Sequence, residues 1–166
     1  MTPLPLTHRR MRLMDYNVLT PETVQTYFWF ILHKAYEDSS EIMEKGVIAI
    51  NDMADLDRSK NIRIATVKYL GSSIQDVLPV RIGGIYIVRQ PWFFSAVFQV
   101  LSPFFPTKLR QRIKFLGDDV QALTDTFPPS SIPTELGGTL EHDHGAWVKS
   151  EIGRGATAIA IYRLPI

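Results

Sequence analysis

Two short segments limit what this chain can become. Gly46–Asn51 (GVIAIN) and Gly84–Val88 (GIYIV) are β-branched and almost wholly apolar. A strand with one wet face alternates polar and apolar residues. An unbroken apolar strand has to be covered on both faces, as in a parallel sheet with helical crossovers. Helical spacing fills the gaps around these segments. Thr20-Pro21-Glu22 supplies a capping hydroxyl, a proline for the first helical position and an acid for the first turn. Behind it Val24, Tyr27, Phe28, Ile31, Leu32 and Ala35 fall on one helical face. Ile62, Ala65, Thr66, Tyr69, Leu70, Ser73 and Ile74 repeat that spacing. A third helix is predicted over Trp92–Leu101, apolar except for Ser95 and Gln99, and Pro103 and Pro106 then interrupt the chain around Phe104-Phe105. Arg10–Met14, Ile113–Leu116 and Ala156–Tyr162 are further strand candidates. The order predicts an α/β fold: a mainly parallel central sheet flanked by helices, with right-handed crossovers.

With 166 residues, no internal repeat and no low-complexity linker, the chain reads as a single domain over residues 1–166. A net charge of +1 gives no general field to recruit nucleic acid, and none is expected as a partner; electrostatic recognition has to come from local clusters. The absence of cysteine removes disulfides, thiolate nucleophiles and Cys-ligated metals from consideration. No apolar run reaches the ~20 residues that span a bilayer.

A parallel sheet invites an enzymatic reading, but the parts are missing. Gly83-Gly84 and Gly137-Gly138 do not form GxGxxG, and neither a phosphate-binding GxxxxGK[ST] loop nor a GxSxG elbow occurs. Asp52, Asp55 and Asp57 lack the central glycine and distal glutamate of a calcium loop. In Glu141-His142-Asp143-His144 the two histidines could face the same way on an extended segment, but no third strong ligand accompanies them. No enzyme activity, cofactor or metal is expected.

Four blocks in order resemble the CRAL-TRIO (Sec14-like) family: Gly46–Asp52 (GVIAIND), Gln75–Phe94 (QDVLPVRIGGIYIVRQPWFF), Ser102–Gly117 (SPFFPTKLRQRIKFLG) and Ile132–Gly138 (IPTELGG). The likeness runs from about Gly46 to Trp147 and leaves the tail 151–166 unassigned. It is nearest to the branch of tocopherol-transfer proteins, retinaldehyde-binding proteins and clavesins. The N-terminal helical region of that family is not recognised here. The resemblance implies an apolar cavity on a sheet floor, closed by a mobile helix, here Trp92–Leu101 with a hinge at Pro103–Phe105. Positions matching its lining and lid are Leu70, Val80, Ile85, Phe94, Val97, Val100, Leu101 and Phe105. It also implies a basic groove for phosphoinositide headgroups, matched here by Arg81, Lys108 and Arg112, with one further basic position replaced by Gly83. In the Sec14 branch a glutamate for phosphatidylinositol stands where this chain has Val80, so that mode of recognition is not implied.

The same residues carry a physical reading of their own. Lys108 and Arg112, four apart, would share one face of a basic helical turn, with Arg110 and Lys114 nearby. Cations beside an aromatic helix suit an anionic membrane surface, at ~1 kcal/mol for each lysine or arginine. The expected function is binding and intermembrane transfer of a hydrophobic small molecule or phospholipid, coupled to phosphatidylinositol bisphosphate. The expected location is the cytoplasm, peripherally on membranes, endosomal ones included. The alternative is a truncated, non-transferring module that binds a protein or membrane surface.

Overall fold

In the computed structural model the described residues are 6–38, 46–69, 81–141, 143, 145–146 and 149–150. Four strands form one sheet: β1 (Leu6–Arg10), β2 (Val47–Asp52), β3 (Ile82–Val88) and β4 (Ile113–Gly117). Their spatial order is β1-β2-β3-β4, and every neighbouring pair is parallel. The apolar runs thus become the two central strands, as their composition requires. The strand expected at Arg10–Met14 lies earlier, at Leu6–Arg10. Arg10 pairs with Asp52, the last residue of β2, so nothing remains for the next residues to pair with, and Met11–Leu13 tighten into a 3-10 turn. The Asn61 amide fixes that turn by donating to the carbonyls of Arg12 and Met14 at 3.1 and 2.8 Å. The candidate strand at Ala156–Tyr162 lies outside the described residues.

Helices occupy the crossovers. Helix α1 (Pro21–Asp38) joins β1 to β2, and Thr20 Oγ1 accepts the Thr23 N–H at 3.2 Å, the cap anticipated from the sequence. The short α2 (Arg58–Asn61) is capped by Asp57, which takes the Ser59 and Lys60 amides. Residues 64–69 form α3. Between β3 and β4 run α4 (Phe94–Leu101), a 3-10 turn (Ser102–Phe104) and the short α5 (Thr107–Arg110). Helix α4 begins two residues later than expected, because Trp92 and Phe93 form a turn closed by the Phe94 N–H to the Pro91 carbonyl.

Sequential order with parallel pairing places successive right-handed crossovers on the same face of the sheet. The contacts agree. Arg9 of β1 lies against Phe28 of α1, Tyr69 of α3 bonds Gln25 of α1, and Lys68 of α3 sits 4.3 Å from the Phe104 ring. The opposite face is covered by the chain after β4: α6 (Gln121–Thr126) and 3-10 turns at Pro129–Ser131 and Thr134–Leu136. Leu123, Ile132 and Leu136, all fully buried, pack there on Ile48, Ile50, Tyr86 and Val88. The Gly137-Gly138 pair closes this cover. Gly137 takes φ +84°, and a Cβ on Gly138 would stand 1.9 Å from the Ile132 carbonyl oxygen.

Candidate functional site

The helix face of the sheet carries the residues expected to form the site. Side chains alternate along each strand, so Ile85, Ile87, Ile113 and Phe115 share the face under α4. Phe94 is buried on it, and Phe98, one turn further along, lies edge-on to Phe115 with centroids 4.9 Å apart. Phe105 stacks on Phe98 at 6.4 Å, which ties the proline-flanked turn to the helix. Met53, Leu56 and Ile62 complete this apolar cluster. Helix α4 is thus seated directly on β3 and β4 through aromatic contacts, each worth about 0.5–1.5 kcal/mol beyond area burial. Its other side faces water. Trp92, Ala96 and Val100, at four-residue spacing, are all exposed, Trp92 to 91%.

Among the residues expected to line a cavity or form its lid, Phe94 and Leu101 are buried, and Ile85, Val97 and Phe105 are half-buried. Val100 points outward and is 54% exposed. Leu70 and Val80 lie outside the described residues. Phe98 and Phe115 were not anticipated, although both could have been. Phe98 follows Phe94 by one helical turn, and Phe115 lies two residues beyond Ile113 on the same strand face.

The basic residues are arranged differently from the expected turn Lys108–Arg112. Helix α5 ends at Arg110, because β4 begins to pair at Ile113. Arg112 therefore lies beyond the helix. It is half-buried, and its Nη1 donates to the Ile82 carbonyl while its own carbonyl accepts the Ile85 N–H at 2.9 Å. It clamps the amino end of β4 to that of β3, beside exposed Arg81 and Gly83. Lys108 is exposed on α5. Lys114 turns to the opposite sheet face, 3.4 Å from the Tyr86 hydroxyl and 5.2 Å from its ring centre.

At the other end of the sheet, outside the carboxyl ends of β1, β2 and β3, is an open crevice of about 280 Å³. Arg10, Arg12, Asp52, Ala54, Asp55, Arg89 and Glu135 line it. The charges are paired: Arg89 donates twice to Asp52, at 2.9 and 2.5 Å, Arg12 meets Asp55 at 2.8 Å, and Arg10 approaches Glu135 at 4.0 Å. Burial alone would raise the Asp52 pKa, but the bonds from Arg89 and the Ala54 amide outweigh it and hold it below the usual carboxylate range. This crevice is remote in the sheet from the basic residues expected to meet a headgroup. Among the described residues, no group of three His, Cys, Asp or Glu could hold a metal. His142 and His144 lie outside them.

Among the described residues, three buried side-chain atoms have no hydrogen-bond partner: His8 Nε2, Arg9 Nε and Thr66 Oγ1. An unpaired buried polar group costs roughly 1–3 kcal/mol. His8 belongs to the back face, where burial lowers its pKa although Glu135 and Asp52 oppose the shift. Arg9 and Thr66 belong to the helix face.

Comparison with known proteins follows this geometry closely. The CRAL/TRIO domain profile matches residues 4–138, from before β1 to the glycine pair that closes the back cover. The chain belongs to the CRAL/TRIO family. Relatives include Clavesin-1 of Rattus norvegicus, 30% identical over 119 residues that make up 70% of this chain and 34% of that protein. Clavesin-2 of Homo sapiens is 29% identical over 120 residues, 70% of this chain and 37% of that protein. A shorter stretch of 78 residues is 38% identical to Clavesin-2 of Mus musculus, covering 46% of this chain and 24% of that protein. The chain thus spans about a third of the length of the relatives it matches. Membership places it in a family of lipid-binding and lipid-transfer proteins. Among the described residues, no helix is long and apolar enough to cross a membrane.

Proposed function

We propose that this domain binds one hydrophobic lipid between its sheet and the α4 lid, and exchanges it at phosphoinositide-bearing membranes. The observation that carries the reading is the two-sidedness of α4. Its inner aromatics Phe94 and Phe98 sit on an apolar strand face, and its outer stripe, Trp92, Ala96 and Val100, is offered to the surroundings. An exposed Trp suits the bilayer interface, and apolar wedges with nearby cations suit reversible docking. Displacing the lid exchanges aromatic contacts for contacts with a lipid chain at ~25 cal/mol per Å² buried. No covalent chemistry is needed. Arg81 and Lys108 are the exposed cations available to a headgroup; Arg112 supplies charge beside them while bracing the sheet.

The test is a transfer assay between vesicles with and without phosphatidylinositol bisphosphate, together with mass spectrometry of co-purified lipid. Arg81→Glu with Lys108→Glu should remove about 2 kcal/mol or more of membrane attraction, roughly thirty-fold in vesicle binding, and leave bound lipid in place. Trp92→Ala should weaken docking on neutral vesicles as well. A protein that carries no lipid and moves none refutes the proposal. That outcome would support the second reading, an interaction module, which the close seating of Phe98 on Phe115 also favours.

A further inference from the structure

One row of side chains crosses the sheet on the helix face. Register places Arg9 of β1 beside Asn51 of β2, Asn51 beside Ile87 of β3, and Ile87 beside Phe115 of β4. The row therefore grades from a cation and an amide to apolar residues under the lid. Strands lie about 4.8 Å apart, so Arg9 and Phe115, three strand spacings apart, are separated by about 14 Å. Arg9 is a poor choice for a core. The guanidinium carbon stands 5.0 Å over the Phe28 ring, and Nε is sealed from water with no hydrogen-bond partner. Among the described residues no carboxylate is paired with it. Burial lowers its pKa, opposed only by the nearby phenols Tyr27 and Tyr16. Those phenols are raised by their own burial, so they stay protonated at neutral pH and can donate to an acceptor. A second orphan, the Thr66 hydroxyl, is fully buried on α3, the helix beside α1.

We propose that the lipid carried by this domain ends in an anionic oxygen group, a carboxylate or a phosphate, that docks on Arg9 while its tail runs across the sheet toward Phe115 under the lid. The inference deepens the lipid-binding reading above and rests on it. A half-buried arginine whose Nε is sealed and unpartnered favours an anion over a neutral polar group, because guanidinium forks bind carboxylate and phosphate with charge-assisted hydrogen bonds. An uncharged lipid in the same place would leave the cation without a counter-charge beside its sealed Nε. Arg9 is then a ligand-positioning residue on the helix face of the sheet, distinct in location from Arg81, Lys108 and Arg112 at the amino ends of β3 and β4.

The experiment is retention of oleate, oleyl alcohol and oleoyl lysophosphatidate by the full chain, each delivered from phosphatidylcholine vesicles and read by native mass spectrometry. Wild type should hold oleate or lysophosphatidate about thirty-fold or more above oleyl alcohol. The winning anion assigns carboxylate or phosphate. Arg9→Leu should erase the preference, and Arg9→Lys should keep part of it. Equal retention of the acid and the alcohol by wild type overturns this inference while leaving lipid binding standing. Retention of none of the three overturns both. If Arg9→Leu does not fold, carbon-13 spectra of carboxyl-labelled oleate on wild type decide the matter. A carboxylate beside Arg9 should stay ionised below the pH at which the same lipid protonates in vesicles; titration as in vesicles overturns the assignment.

Discussion

Replacing Arg89 by Met tests the electrostatics of the sheet's carboxyl end. Arg89 grips Asp52 with two hydrogen bonds, and the Asp52 side chain is only 5% exposed. Removing one partner of a buried pair leaves an uncompensated charge, at about 3–5 kcal/mol. The Arg89 side chain is 33% exposed, so solvent screens part of its contribution and about 2–3 kcal/mol is expected at neutral pH. The loss should shrink with acid. In the native protein the Asp52 pKa is depressed, so its contribution is fully present above the unfolded-state pKa and is lost as pH falls through the native value. In Arg89→Met burial is left as the dominant influence and raises the Asp52 pKa above its unfolded value. The variant therefore takes up a proton as pH falls toward 4 and sheds its unpaired charge, which wild type does not do there. Urea denaturation at pH 7 and again near pH 4 should give a clearly smaller difference between variant and wild type at the lower pH. A difference that is the same at both pH values would refute the charge argument and assign Arg89 to packing alone. For a chain of this size 2–3 kcal/mol corresponds to a fall in Tm of about 4–12 °C.

Other outcomes follow from named contacts. Leu123→Ala empties a fully buried position of the back cover and should cost about 2–5 kcal/mol by denaturant titration, with the α4 contacts on the other face unchanged. Gly138→Ala drives a methyl into the Ile132 carbonyl and should destabilise the fold by at least about 2 kcal/mol, whereas Arg110→Ala on the exposed face of α5 should stay within about 0.5 kcal/mol. His8 is held below its ordinary pKa, so the unfolded chain takes a proton first as pH drops below about 6.5 and stability falls. His8→Gln should flatten that part of the stability profile, measured by thermal melts between pH 7 and pH 5.

The sheet was legible because β2 and β3 have to be covered on both faces, and their composition says so without help from any contact. Helix α4 was legible for a related reason: few polar residues interrupt Phe94–Leu101. The edge strand was misplaced because five residues of alternating charge fit a strand or a single 3-10 turn equally well; only the length of β2 decides between them. Arg112 was assigned to a helix by its spacing from Lys108, and spacing cannot show that β4 claims the backbone first. Arg9 drew no attention within the run Arg9-Arg10-Met11-Arg12, since identical residue types hide opposite environments. Arg10 and Arg12 line an open crevice, whereas Nε of Arg9 is sealed against aromatic rings. Only the registration of β1 on β2 separates them.

The one-sided winding of the sheet has a consequence for synthesis. Strands are added in the order they are made, and each crossover helix arrives with its strand, so the front of the domain can assemble progressively. The back cannot. Ile48 and Ile50 leave the ribosome long before Ile132 and Leu136, the residues that roof them. Until about residue 140 has emerged, the nascent chain carries a row of apolar side chains on an uncovered parallel sheet, a state that attracts chaperones and invites aggregation.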